Sequence, residues 1–181
     1  MLVSLSLFSV VVLVCVGALL ALVGADKKAQ SLQAVMNDLN ITVDSMVRNM
    51  REGTVYNCDN SAAPASTQDC SSGGTVISFA PYGAASTDQT KRWVYQFVPA
   101  SGSATGYIQR SKDGGATYVR LTSPDITLTT VSFYVVGTSV VDNVQPRITA
   151  IIKGTGGSGS DTRSFSTFHV EASAVQRELD L

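Results

Sequence analysis

Few residues in this sequence could carry chemistry, because its 181 residues include three cysteines and one histidine. Cys58 and Cys70 bound a polar segment, CDNSAAPASTQDC, whose spacing suits either a disulfide or part of a metal site. A metal site needs further ligands, and the single histidine, His169, lies far along the chain. If the chain is exported, a disulfide is therefore expected. Cys15 lies in an apolar run, where a thiol packs as a small hydrophobic side chain.

Enzymatic chemistry is not expected from this composition. His169 belongs to an alternating run, residues 165–172, which is typical of a residue on a strand face. The glycine-rich stretch 154–159 lacks the Gly-Lys-Ser/Thr ending of a phosphate-binding loop. The formal net charge is -1 and the basic residues are scattered, so nucleic acid is not expected as a specific ligand. We expect no catalytic residues, no metal ion and no cofactor.

The element that comes first in the chain is an apolar run. Residues 1–25 contain no Asp, Glu, Lys, Arg or His. An uncharged run of more than about 18 residues is long enough to cross a bilayer core as a helix. A secretory signal peptide cleaved after Ala25 is the alternative, but such a peptide has its basic residues before the apolar core. Here the first basic residues, Lys27 and Lys28, come after it, which favours a transmembrane helix.

The apolar run continues into an amphipathic segment without a turn signal. Its apolar residues recur with a 3.5-residue period on one helix face, which Val35 and Val47 widen: Leu32, Met36, Leu39, Val43, Met46 and Met50. Gly53 indicates the end of the helix, and Arg48 and Arg51 suit its negative C-terminal end. We therefore predict one helix over residues 1–53, roughly 75 Å long, with this stripe packed on the domain after it. A short coiled coil is the alternative reading of the stripe.

Residues 54–181 are expected to form one β-rich domain, here called the head. The candidate strands alternate and are rich in Val, Ile, Thr and aromatic residues: 76–79, 92–98, 107–111, 118–121, 126–136, 147–153 and 165–172. Residues 112–115, KDGG, indicate a hairpin, and residues 154–164 indicate a flexible loop. The predicted fold class is α+β, with a long N-terminal helix packed on a mostly antiparallel β-sheet.

This combination resembles the type IV pilin and pseudopilin family, in which a helix of this kind precedes an antiparallel sheet. The start, MLVSLSLF over residues 1–8, is similar to the apolar stretch directly after the family's processing motif, Gly-Phe-Thr-Leu-x-Glu. The tail over residues 168–177 is similar to the last strand of minor pilins of the W/J type. The motif itself is absent, and Leu5 stands at the fifth position, where the family has a glutamate that pairs with a neighbour's N-terminal amine. We expect Met1 to be about the sixth mature residue.

The resemblance implies a structural subunit of a type IV pilus-like filament, assembled by bundling of the N-terminal helices. One face of residues 1–25 would line the filament core: Leu2, Leu5, Phe8, Val12, Cys15, Leu19 and Leu22. The implied partners are copies of itself or other pilins, the inner membrane, a prepilin peptidase and the pilus assembly machinery. The implied location is the bacterial inner membrane before assembly and an extracellular filament at the cell surface afterwards.

The use of such a filament stays open between adhesion, motility, DNA uptake and secretion. The loops 58–70, 82–91 and 154–164 are the expected contacts with targets or partners. Two alternatives to the pilus subunit remain. One is a minor pseudopilin of a type II secretion pseudopilus, and the other is a solitary membrane-anchored β-domain for surface binding.

Overall fold

The computed structural model describes residues 2–58, 66–85, 87–139, 144–157 and 165–177. One helix, α1, spans Leu2–Glu52 without interruption. Nine strands come after it in the described part of the chain: β1 (Thr54–Asn57), β2 (Cys70–Gly74), β3 (Val76–Ala80), β4 (Trp93–Val98), β5 (Tyr107–Ser111), β6 (Val119–Arg120), β7 (Ile126–Val136), β8 (Arg147–Gly156) and β9 (Ser166–Val175). A 3-10 turn, Gln89–Lys91, precedes β4.

The strands form two antiparallel sheets. The first sheet has the order β1-β3-β4-β5-β6, and the second has the order β2-β7-β8-β9. The predicted α+β class is confirmed, but the single sheet expected for the head is corrected to two. Each sheet has an apolar inner face, represented by Phe79 and Tyr95 in the first and by Phe133 and Ile152 in the second. These faces bury their side chains in one core, which a single sheet could not enclose.

The strand boundaries differ from the predictions where local composition is a poor guide. β7 covers the predicted residues 126–136, whereas β8 and β9 run on to Gly156 and Val175. The loop predicted at residue 154 therefore starts later, because Gly154 and Gly156 continue the strand at places of close packing. β1 and β2 were not predicted, since TVYN is short and CSSGG has little strand propensity.

The predicted hairpin at residues 112–115 is confirmed as the turn between β5 and β6. Gly114 and Gly115 adopt φ angles of 71° and 94°, which glycine tolerates without steric cost. The Asp113 carboxylate accepts hydrogen bonds from Ser111 Oγ at 2.5 Å and from the Thr117 amide at 2.9 Å. These bonds hold the turn residues in place relative to β5.

The C-terminal half of α1 lies alongside the second sheet. Val35 packs against Gly156 at the end of β8, and Gly156 pairs with Ser166 at the start of β9. Arg51 lies 16 residues after Val35 on the helix. Its carbonyl accepts a hydrogen bond of 2.9 Å from the amide of Arg177, which comes just after the end of β9. The helix and β9 therefore run side by side in the same direction, and the apolar half of the helix extends beyond the Ser166 end of β9.

Candidate assembly surface

The apolar half of α1 is exposed around its whole circumference. By length and composition the helix could span a membrane, and its most apolar window has a mean hydropathy of 2.9 with no part buried within the chain. Phe8 is 66% exposed, and Leu13, on another side of the helix, is 73% exposed. An uncharged surface of this kind is stable only against lipid or against other apolar surfaces.

The residues predicted to line a filament core lie on this surface, but no head residue singles them out. Leu5, Phe8, Val12, Cys15, Leu19 and Leu22 are all exposed, while the side chain of Leu2 lies outside the described residues. Val10, Leu13, Val14 and Leu20 are exposed to a comparable degree on the remaining faces. The structure of one chain therefore places the seven residues on the projecting segment without choosing one face.

The predicted stripe of the amphipathic half is only partly the one that packs on the head. Leu39, Met46 and Met50 are buried, and Val43 packs partly buried against the same core. Leu32 and Met36, in contrast, are 36% and 41% exposed. Their inclusion in the packing face is corrected, because the buried positions at this end of the helix are Val35 and, further on, Thr42.

The reason for this correction is the pitch of the helix. A 3.5-residue stripe drifts by about 20° per heptad around a straight helix of 3.6 residues per turn. The predicted stripe matches the head at Met46 and Met50 but has moved off it by the time it reaches Met36 and Leu32. Val35, which the sequence placed at the margin of the stripe, makes the contact instead, because Gly156 has no side chain there.

Hydrogen bonds fix the helix on the head at several points along its length. The Asp38 carboxylate accepts from the Ser123 amide at 3.0 Å, and Asn49 Nδ2 donates to the Tyr95 hydroxyl at 2.9 Å. The buried Tyr56 hydroxyl donates to the Met50 carbonyl at 2.6 Å and also contacts the Gly53 carbonyl. Burial raises the pKa of Tyr56, which keeps this hydroxyl protonated as a donor. The last turn of α1 is thus tied to the start of the first sheet.

The cysteine pair forms a disulfide that joins the two sheets. Cys58 comes directly after β1 in the first sheet, and Cys70 begins β2 in the second, with their Cα atoms 6.0 Å apart. Beside it, the Asp69 carboxylate accepts from the Thr138 amide at 2.9 Å and from the Gly137 amide at 3.3 Å. Partial burial opposes ionisation of Asp69, but the hydrogen bonds from Thr138 and Gly137 outweigh it and lower its pKa. Cys15 is a free, exposed thiol.

Arg92 is a buried charge that the sequence did not reveal. Its Nη2 donates to the Val55 carbonyl at 2.5 Å and lies 3.5 Å from Ser78 Oγ, while Nε and Nη1 have no hydrogen-bond partner. Burial lowers the pKa of its guanidinium to about 10. The group lies inside the protein, where it holds the first strands together rather than facing a ligand.

Two features bear on metal binding and on the single histidine. Among the described residues, no group of three or more His, Cys, Asp or Glu side chains converges in a way that could hold a metal ion. His169 lies on the exposed face of β9, opposite Lys153 of β8, in agreement with the prediction that it is a strand-face residue.

The surface near β4 holds an aromatic and basic cluster that sequence spacing could not reveal. Trp93 lies beneath two cations, with the Arg110 guanidinium carbon 5.3 Å and Lys112 Nζ 4.8 Å from its ring centroid. Arg110 and Lys112 come from β5 and the turn after it, so only strand pairing brings them to Trp93.

The sequence predicted three loops as contacts with targets or partners. Within these loops, residues 59–65, 86 and 158–164 lie outside the described residues.

Comparison of the chain with known protein families, with curated proteins and with solved structures finds no match. The fold and the exposed helix are therefore the basis on which a function can be proposed.

Proposed function

We propose that this chain is a structural subunit of a type IV pilus-like filament, assembled by bundling of its N-terminal helices. The observation that carries the proposal is the projecting half of α1. It is uncharged up to Asp26, exposed on every side, and continuous with a second half that is fixed in the head. Such a segment suits two apolar environments in turn, the membrane before assembly and neighbouring helices afterwards.

The rigid connection between the two halves supports this role. The helix spans Leu2–Glu52 without interruption, and its C-terminal half is held by buried apolar side chains and by the Asp38 and Asn49 hydrogen bonds. A position imposed on the apolar half is therefore transmitted to the head. Helical packing of such subunits would place the heads on the outside of a filament.

The proposed location is inferred from the same segment. Before assembly the subunit resides in the bacterial inner membrane, with the disulfide-bonded head on the extracytoplasmic side. Its partners are then copies of itself or other pilins, brought together by a prepilin peptidase and an assembly machinery. A solitary membrane-anchored β-domain would use the same helix as a monomeric anchor, and the experiment must separate these two roles.

The experiment uses the natural thiol in the apolar segment. Filaments are sheared from cells that make the protein, and the N-terminus and subunit composition of the filament fraction are determined by mass spectrometry. A bifunctional maleimide is then applied to that fraction, with Cys15→Ser as the matched control. Helix bundling predicts the protein in the sheared fraction, with Cys15-dependent oligomers that the control lacks. A protein confined to the membrane fraction, with no such oligomers, is a solitary anchor and overturns the proposal.

A further inference from the structure

Two basic side chains lie over the ring of Trp93. The register of β4 and β5 pairs Tyr95 with Arg110, so Trp93 stands opposite Lys112 and all four side chains leave the same face of the sheet. The Arg110 guanidinium carbon lies 5.3 Å and Lys112 Nζ 4.8 Å from the Trp93 ring centroid. The ring also packs against the buried Phe79, with 6.3 Å between the centroids. Trp93 therefore joins the core to a pair of cations at the surface.

The charges of Arg110 and Lys112 are not neutralised within the described part of the chain. The ion pairs found there involve other side chains. Asp113 follows Lys112 directly, but its carboxylate accepts hydrogen bonds from the Ser111 and Thr117 hydroxyls instead. Alternate residues on a strand are about 6.8 Å apart, so the two positive charges repel each other. An anion bound between them would remove this repulsion.

A second cation–aromatic pair in the same sheet has a structural explanation. The Arg120 guanidinium carbon lies 4.7 Å from the Tyr107 ring centroid, but Nε and Nη2 of Arg120 also donate to the carbonyls of Thr122 and Ser123. Those bonds fix β6 to the segment that leads into β7. Lys112 has no such acceptor among the described residues and is exposed, so its ammonium group is available to a ligand.

The strands beneath the two cations restrict the kind of ligand. Trp93 pairs with Phe79, and Arg110 pairs with both Tyr95 and Val119, so an extended peptide finds no strand edge here. Nucleic acid is recognised by a stripe of basic residues, whereas the Lys and Arg residues of this chain are scattered. A ligand at this place therefore binds through side chains, with two cations for an oxyanion.

Neutral polar groups adjoin the cations. Asn49 Nδ2 donates to the Tyr95 hydroxyl at 2.9 Å. Burial raises the pKa of Tyr95, while Asn49 and Arg110 oppose that shift, so Arg110 lies beside the same hydroxyl. Asn49 follows Ala25 by 24 residues, which is about 36 Å along α1. The cluster is therefore far from the apolar segment and from any membrane in which that segment lies.

We propose that Trp93, Arg110 and Lys112 form a binding site for the carboxylate or sulfate groups of an acidic polysaccharide. The oxyanion lies between the two cations, where Arg110 donates from its planar guanidinium and Lys112 from its ammonium group. Trp93 orients both side chains, so less conformational entropy is lost when the ligand binds. Sugar hydroxyl groups beside the oxyanion face the polar side of α1 around Asn49. This site goes beyond the proposed function and does not depend on it, because a solitary anchored head would carry the same cluster.

The ligand class is tested by titration calorimetry of the full chain in detergent with soluble polysaccharides. Dextran sulfate and polygalacturonate supply the sulfate and the carboxylate group. Dextran and fully methyl-esterified polygalacturonate are their uncharged counterparts. The site predicts binding of at least one charged polymer and no binding of its uncharged counterpart, and the two charged polymers show which oxyanion is preferred.

The residues are tested by three variants in the same titration. Lys112→Gln should weaken binding about tenfold or more, because it removes a charged donor to the oxyanion. Lys153→Gln, which removes the same charge from an exposed lysine on β8, is the matched control and should leave the affinity unchanged. Trp93→Leu keeps both cations and an apolar contact with Phe79, and should weaken binding about two- to fivefold. Because Lys112 is exposed, its variant tests the site even where Trp93→Leu fails to fold.

A loss of affinity in Lys112→Gln, with Lys153→Gln unchanged, supports the site. Absence of binding to both charged polymers overturns it. Equal losses in the two lysine variants also overturn it, since they indicate attraction by overall charge. Polyglutamate or single-stranded DNA that binds as tightly as the polysaccharide, and weakens in Lys112→Gln, overturns the assignment to saccharides. Filament assembly through α1 is measured separately by the Cys15 cross-linking, so failure of one proposal is distinguishable from failure of the other.

Discussion

Val35 of the helix occupies the space that a side chain at Gly156 would fill. A Cβ built on Gly156 collides with Cγ1 of Val35 and lies 3.1 Å from its Cγ2. Val35 is itself buried at 4% exposure, on a helix whose position on the head decides where the apolar segment projects. This pair therefore determines the seating of the helix at the end of the head nearest the apolar segment.

Gly156→Ala is expected to destabilise the head by about 1–3 kcal/mol, because the added methyl group overpacks the contact with Val35. The measurement is chemical unfolding of the full chain in detergent, monitored by near-ultraviolet circular dichroism. The double variant with Val35→Ala should recover part of the loss, since it removes the colliding methyl groups. Gly24→Ala, where a Cβ meets nothing within 4 Å, is the control. Additive effects of the two substitutions would contradict the contact.

The corrected packing stripe predicts unequal costs for two leucines on the same helix. Leu39→Ala should cost about 2–5 kcal/mol, because it leaves a cavity in the core. Leu32→Ala should stay within about 0.5–1 kcal/mol, because Leu32 is partly exposed on the folded chain. Both variants make the same chemical change, so each controls for the other in parallel unfolding curves. If both variants lose the same free energy of unfolding, Leu32 packs on the head as Leu39 does, and the predicted 3.5-residue stripe is the packing face.

Removal of the disulfide is expected to cost about 3 kcal/mol, since Cys58 and Cys70 close a loop with a sequence separation of 12 between the two sheets. The comparison is between Cys58→Ser/Cys70→Ser and the unaltered chain, measured as the urea midpoint with and without a reductant. Cys15→Ser, which removes the free thiol, should leave the midpoint unchanged. If the double variant and the unaltered chain respond alike to the reductant, the bond contributes nothing to stability.

The carboxylate of Asp113, in the turn after β5, is expected to make the free energy of unfolding depend on pH in the acid range. Hydrogen bonds from Ser111 and Thr117 lower the pKa of Asp113 to about 2 from its ordinary value of 3.8. Because the pKa is lower in the folded state, the contribution is complete above about pH 4 and is lost as the pH falls towards 2. Asp113→Asn should therefore be less stable near neutral pH and lose less on acidification over this window.

Urea midpoints at pH 7, 4, 3 and 2 check this dependence. Thr117→Val removes one hydroxyl donor and should shift the loss of stability to higher pH than in the unaltered chain, because the pKa of Asp113 then rises. Parallel curves for Asp113→Asn and the unaltered chain would show that the turn carboxylate does not contribute.

Periodicity along the chain determined several features without any tertiary information. The helix over residues 2–52, the whole of β7 and the KDGG hairpin are all indicated by the spacing of apolar and glycine residues. The Cys58–Cys70 pairing was indicated by the absence of competing ligands in the sequence. Each of these depends on interactions between residues close in the chain, which a sequence displays directly.

Contacts between distant segments decided the rest. The choice of Val35 over Met36 depends on a glycine 121 positions away, and the pairing of the weak strand β2 with β7 forms beside the disulfide. The burial of Arg92 likewise depends on which strands become neighbours. The physical reason is that burial and strand order are properties of the assembled core. Local propensity fixes only the direction in which each side chain leaves its own element.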